Sequence, residues 1–171
     1  MTASPTPHPS DAVALREPTR LVSPRAKQQW RVQLLVTAIV PASGAVAAWL
    51  WPGGDTWPVL AAGAVAVLLI AGAFIVPQVR YRIHRWEVAD DAIATRRGLL
   101  RIEDRIAPLS RVQTIDSRQS FLQRLFRVRS LVVTTASAAG PIMIDGLDAE
   151  EAQRLVAELT AITARERGDA T

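Results

Sequence analysis

Few residues in this 171-residue chain could carry a reaction, and their placement does not favour one. There is no cysteine, which removes thiolate nucleophiles, thiolate metal sites and disulfide frameworks together. Of the two histidines, His8 lies in a Pro/Ser/Thr-containing tail and reads as a bystander. His84 stands between Arg82 and Arg85. Neighbouring cations depress an imidazole's pKa, and no acid lies beside it in sequence to orient it as a base. It reads as a surface or packing residue of a strand. Two acid pairs, Asp90-Asp91 and Glu103-Asp104, invite acid/base or cation chemistry. Adjacent strand residues point to opposite faces, however, and adjacent turn residues are normally solvated. No G-x-S-x-G elbow, P-loop, H-E-x-x-H or paired-glycine dinucleotide fingerprint occurs. The expectation is a non-enzyme with no metal, cofactor or small-molecule substrate.

The basic residues raise two other chemistries. Residues 78–131 hold twelve arginines and six acids, while residues 132–171 hold three arginines and seven acids. Those arginines are interspersed with acids and form no stripe along which a nucleic-acid backbone could run. Nineteen arginines against one lysine reads as codon bias, so no nucleic-acid partner is expected. Lipid headgroups fit better. Arg80, Arg82 and Arg85 follow an apolar block directly, where each basic group adds on the order of 1 kcal/mol of attraction to anionic lipid; fixing topology is the competing role. Arg96, Arg97 and Arg101, around a hairpin, are further headgroup candidates. In Ser120–Arg129, Phe121, Leu122, Leu125 and Phe126 form an apolar ridge flanked by Arg118, Arg124, Arg127 and Arg129. Arg118, Phe121, Leu122, Arg124 and Leu125 could meet a partner subunit or the bilayer. The preferred alternative is a short crossover whose apolar side plugs a small barrel.

The elements that must position these groups begin with two apolar blocks. Val32–Trp51 and Pro58–Pro77 are each twenty residues without a charge, the length that crosses a hydrocarbon core. Pro52-Gly53-Gly54-Asp55-Thr56 between them is a hairpin turn. Trp30, Trp49, Trp51 and Trp57 stand at block ends, where indoles prefer the headgroup level. Pro41 should kink the first span. Arg16, Arg20, Arg25, Lys27 and Arg31 precede the first block and Arg80, Arg82 and Arg85 follow the second, while the turn has no Lys or Arg. Both termini are therefore expected in the cytoplasm. A buried hairpin of a soluble protein would need a covering layer that the chain is too small to supply. Residues 1–27 are expected as a disordered cytoplasmic tail, and 28–78 as the transmembrane hairpin.

From residue 79 onward, short β-rich runs recur with turn signals every 8–12 residues, the mark of an antiparallel barrel or sandwich. The strands are predicted at Tyr81–Ala89, Ala92–Arg97, Arg101–Ala107, Val112–Arg118, Ser130–Ala136 and Pro141–Ile144. A helix over 148–166 follows, with Asp148 as N-cap and Glu151 as its capping-box partner. Ala152, Leu155, Val156, Leu159 and Ile162 form its apolar stripe.

The run PLSRVQTIDSRQSFLQRLF from Pro108 to Phe126, then Leu131-Val132-Val133-Thr134-Thr135 and Ile144-Asp145-Gly146-Leu147, resembles the bacterial pleckstrin-homology-like domain of YdbS-like membrane proteins. The likeness extends from about Gln28 to Ile162 and includes the two-span hairpin. It implies a pleckstrin-homology-like β-barrel or sandwich over 79–171, capped by the C-terminal helix. It also implies membrane attachment, no established enzymatic activity, and a part in envelope maintenance or stress tolerance. Where the family pattern has a glycine after "Gln-Arg-Leu-Phe", this chain has Arg127. Phosphoinositide recognition in eukaryotic relatives uses basic residues at the first hairpin; here that hairpin is Ala89-Asp90-Asp91-Ala92, whose carboxylates repel phosphates. The expected function is a non-catalytic interaction or scaffold module at the inner face of the plasma membrane, self-assembling or pairing with a related membrane protein. The competing reading is an anionic-lipid sensor working through the juxtamembrane arginines.

Overall fold

A computed structural model of the protein describes residues 17–51, 55–89, 91–137 and 140–169, with side chains to residue 165. The tail to Arg16 with His8, the Pro52-Gly53-Gly54 turn, Asp90 and the middle of the Ala136–Gly140 connection lie outside the described residues. Element order is β1 (Arg20–Leu21), α1 (Pro24–Leu50), α2 (Thr56–Ile83), β2 (Arg85–Val88), β3 (Ala92–Gly98), β4 (Ile102–Pro108), a 3-10 turn (Leu109–Arg111), β5 (Val112–Arg118), α3 (Phe121–Leu125), β6 (Val128–Thr135), β7 (Ile142–Asp148) and α4 (Ala149–Asp169).

The helical hairpin is longer than its charge-free blocks. Ser23 caps α1 by accepting the Arg25 backbone N–H at 3.2 Å, and Pro24 occupies the first turn, where its missing N–H costs nothing. α1 runs unbroken through Pro41 and α2 through Pro77. The helices pack along their length, and in the apolar blocks they bury little beyond Ala38, Ala66, Ala73 and Pro77. Small residues at the contact let two backbones approach where no hydrophobic force acts between helices. Only 6% and 11% of the most apolar stretches are buried. Val40, Leu60, Leu68 and Ile75 face outward with no protein layer over them among the described residues. That arrangement suits lipid and not a soluble core.

The remainder is two antiparallel sheets, ordered β1-β2-β3-β4 and β5-β6-β7, with α4 packed on the second. Their core joins Trp86, Ile93, Leu109, Leu131, Val133 and Leu147 to Ala152, Leu155 and Leu159 of α4. The stripe expected on α4 therefore faces inward, with Val156 and Ile162 at its margin.

Several boundaries differ from expectation. Residues 17–27 belong to the fold and not to a disordered tail: β1 pairs with β2, and Val22 and Ala26 are buried. Tyr81–Ile83 continue α2, so the predicted strand at Tyr81 begins only at Arg85. β6 starts two residues earlier than predicted, at Val128. β7 continues past the predicted end at Ile144, through Asp145-Gly146 to Asp148. A register shift places Leu147 opposite Arg129 and Asp145 opposite Ser130, leaving Gly146 (φ +84°) as the extra residue of a β-bulge. Bulges of this kind take glycine because the left-handed conformation burdens any Cβ.

Candidate functional site

The hairpin and the sheets meet in a tightly fitted joint. The Ser23 N–H donates to the Gly146 carbonyl at 2.8 Å, so the bulge holds the residue that caps α1. Trp30 lies buried against Gly146 and His84, its ring centroid 5.4 Å from the imidazole. The Arg80 guanidinium sits 4.3 Å from the Trp30 ring centre and 3.6 Å from Asp145 Oδ2. Two further cations stack across the hairpin: Lys27 on Tyr81 at 4.5 Å and Arg31 on Phe74 at 5.3 Å. Trp30 is thus part of the joint and not of a headgroup belt, whereas Trp49, Trp51 and Trp57 are exposed near the hairpin's far end.

His84 caps the end of α2 in a buried position, not on a strand surface. Its Nδ1–H donates to the Arg80 carbonyl at 2.9 Å, and its Nε2 accepts from Arg80 Nε at 3.4 Å. Acceptance at Nε2 requires a neutral ring, whereas the Nδ1–H bond to the carbonyl is open to either form. Burial first, then the Arg80 charge, pushes its pKa down to about 4 from 6.5. The unfolded chain therefore binds a proton near pH 6.5 that the folded chain refuses until about pH 4. Stability present above pH 6.5 is lost as pH falls through that window, by about 2 kcal/mol between pH 7 and 5. Unfolding followed at both pH values in detergent should show this loss in the wild type and not in His84→Asn. A wild-type protein equally stable at both values would place the ring in water.

The five headgroup candidates are mostly engaged within the protein. Arg80 is taken up by the joint. Arg96 pairs with Glu17 and Asp104, and Arg97 with Glu103 at 3.2 Å. The Arg96 guanidinium holds the Glu17 carboxyl below the usual carboxylate range. Arg85 Nε donates to the Arg82 carbonyl at 3.3 Å. Arg82 is exposed, and no carboxylate pairs with it among the described residues. The Glu103-Asp104 pair serves the same ion-pair network: Asp104 meets Arg96, and Glu103 also meets Arg105. Among the described residues no three His, Asp or Glu side chains gather as metal ligands would.

Four of the five partner-contact candidates lie on α3, and Arg118 ends β5 three residues before it. Ser120 and Gln123 form a reciprocal capping box, and Gln123 Nε2 also donates to Ser130 Oγ at 2.7 Å. Gln119 Nε2 donates to the Val128 carbonyl at 3.0 Å. These bonds hold the short helix against β6 and beside α1. Leu122 is half-buried, while Phe121 and Leu125, four residues apart on one face, are 79% and 66% exposed. Arg118 and Arg124 are exposed beside them. The ridge does not plug the barrel. Arg127, standing where the family pattern has glycine, adopts φ +55°. It keeps the glycine's backbone conformation, and its carbonyl accepts the Ala149 N–H at 3.0 Å. The serine and glutamines of the quoted motif already signalled the cap. Nothing local signalled Asp145 and Gly146, because their partners are far away in sequence.

A family model described as "Bacterial PH domain" matches residues 32–163, spanning both the hairpin and the sheets. The UPF0699 transmembrane protein YdbS of Bacillus subtilis (strain 168) is 27% identical over 143 residues, covering 81% of this chain and 89% of that protein. No solved structure gives a significant match.

Proposed function

Because the chain belongs to the bacterial PH domain family and is a membrane protein, we propose that it serves as a non-catalytic interaction module at the inner face of the plasma membrane. Both termini lie in the cytoplasm, and the module, residues 79–171, assembles with a second copy or with a related membrane protein. One observation carries the reading: α3 holds Phe121 and Leu125 outward in a fixed frame, with Arg118 and Arg124 beside them. An exposed apolar pair with an arginine rim is the composition of an interface centre. The joint supports it, since a domain locked to its anchor presents that face at one height and angle. A sensor built on Arg80, Arg82 and Arg85 draws less support, because Arg80 is committed to Asp145 and Trp30.

A photo-cross-linking residue at position 121 of the intact protein in its own membrane tests this. The expected product is a discrete adduct, either at twice the chain's mass or with one membrane protein of the same kind. Leu125→Asp should reduce its yield at least about tenfold, as loss of an anchor side chain does. Stability should change by less than about 0.5 kcal/mol, because the position is exposed. Adducts with lipid alone, or with unselected neighbours, would overturn the assignment.

A further inference from the structure

The turn between β3 and β4 has the wrong composition for a turn that faces water. Turns favour Gly, Pro, Asn, Asp and Ser; this one reads Gly98-Leu99-Leu100-Arg101. Gly98 answers to backbone geometry. It sits at φ +137°, where an added Cβ would fall 1.9 Å from the Arg101 carbonyl oxygen. The leucines have no such reason. Leu100 is wholly exposed, and Leu99 and the neighbouring Ile102 are exposed beside it.

What lies next to this tip says what covers it. A cavity of about 350 Å³ separates the turn from the end of α2, and its lining includes Val76, Arg80, Arg97, Leu99 and Arg101. Val76 is in the last turn of the apolar block that ends at Pro77. Arg80 is four residues further along, about 6 Å at the helical rise. The cavity therefore runs from the hydrocarbon edge into the headgroup layer, continuous with the lipid-facing side of α2. Charge points the same way. Arg80 and Arg97 are balanced by Asp145 and Glu103, which also line the cavity. Arg101 is exposed and pairs with no carboxylate among the described residues.

We propose that the β3–β4 turn is a second membrane anchor, in which Leu99 and Leu100 enter the boundary between headgroups and acyl chains while Arg101 takes a phospholipid phosphate in the cavity beside Val76. Apolar side chains with an adjacent cation are what an interfacial anchor requires. The inference rests on the membrane-spanning hairpin alone and stands or falls independently of the α3 contact.

The chain has no cysteine, so Leu100→Cys in the full-length protein accepts a single nitroxide label at a position whose side chain supports nothing. Glu150→Cys is the control: it lines a groove with Pro24, eight residues (about 12 Å) before the first apolar block. In phosphatidylcholine vesicles containing phosphatidylglycerol, the ratio of oxygen to water-soluble nickel-chelate collisions should be several-fold higher at position 100 than at 150. Adding Arg101→Gln should lower the ratio of lipid-exposed to water-exposed label about fivefold, the loss of one cation at an anionic surface. A label at 100 as accessible to the chelate as the control overturns the anchor. A label shielded from both reagents also overturns it, because protein would then cover the tip. An unchanged ratio in Arg101→Gln overturns the phosphate contact.

Discussion

Gly146→Val is expected to lower the stability of the detergent-solubilised protein by about 2–5 kcal/mol, through left-handed backbone strain of roughly 1–2 and overpacking of roughly 1–3. The residue sits at φ +84°, and a Cβ there would lie 2.6 Å from Ala26 Cβ and 3.4 Å from Trp30 Cζ2. No rotamer avoids this, because the first carbon meets α1 before any branch is placed. Relief by backbone movement would pull the Gly146 carbonyl from the Ser23 N–H that it accepts. Strain, steric overlap and loss of the hydrogen bond beside the α1 cap thus fall on one atom pair. A chain of this size shifts in melting temperature by roughly 2–4 °C per kcal/mol, so a fall of about 10 °C followed by circular dichroism is the expected reading. The milder Gly146→Ala, combined with Ala26→Gly, separates the terms. Removing the Ala26 methyl relieves the overlap but not the φ penalty, so the double variant should recover part of the loss, beyond additivity. Strictly additive losses would show that the bulge and α1 do not press on one another.

That joint marks the limit of what could be read from residues alone. The apolar blocks, the strand rhythm and the α4 stripe were legible because each is a repeating local pattern. The membrane character and the family followed from them and from one unusual run of residues. Pairings across long sequence separations were not legible. β1 is two residues long, and its partner β2 lies about sixty-five positions away, so Arg20-Leu21 carries no strand signal of its own. Tyr81–Ile83 has strand-forming side chains, yet a helix already running through Val79 extends over them at one hydrogen bond per residue. Trp30 looked like a headgroup residue because it stands at a block end; the feature that withdraws it from lipid is a glycine more than a hundred residues on. On α3 the apolar ridge was visible, but its direction depended on where Gln119 and Gln123 found acceptors. Arg127 shows the converse: the backbone conformation persisted although the residue that favours it is absent.

Trp86→Ala should cost about 3–5 kcal/mol, the range for emptying a buried indole site, and should also release the segment that leads into the membrane. Trp86 is 1% exposed in the middle of β2, paired in register with Thr95 on one side and Arg20 on the other. The Arg20 guanidinium stacks 4.4 Å from its ring centre and reaches on to Glu151 at 3.2 Å. The indole therefore supports a chain of contacts from the core, through β1, to the start of α4. Its Nε1 is buried and finds no hydrogen-bond partner among the described residues. Volume and the ring face, not the N–H, make its contacts with the protein around it. Trp86→Phe separates the two: it keeps an aromatic face beneath Arg20 and removes the unpaired donor, so its loss should stay below about 1.5 kcal/mol. Hydrogen exchange supplies the structural readout. In Trp86→Ala, protection at Leu21 and Ser23 should fall towards that of an open segment, whereas Trp86→Phe should retain it. If the alanine variant kept both its melting temperature and that protection, the lead into α1 would be held by the joint alone. If the phenylalanine variant lost as much as alanine, the indole nitrogen would have to have a partner after all, and the ring-face account of β1 docking would fail.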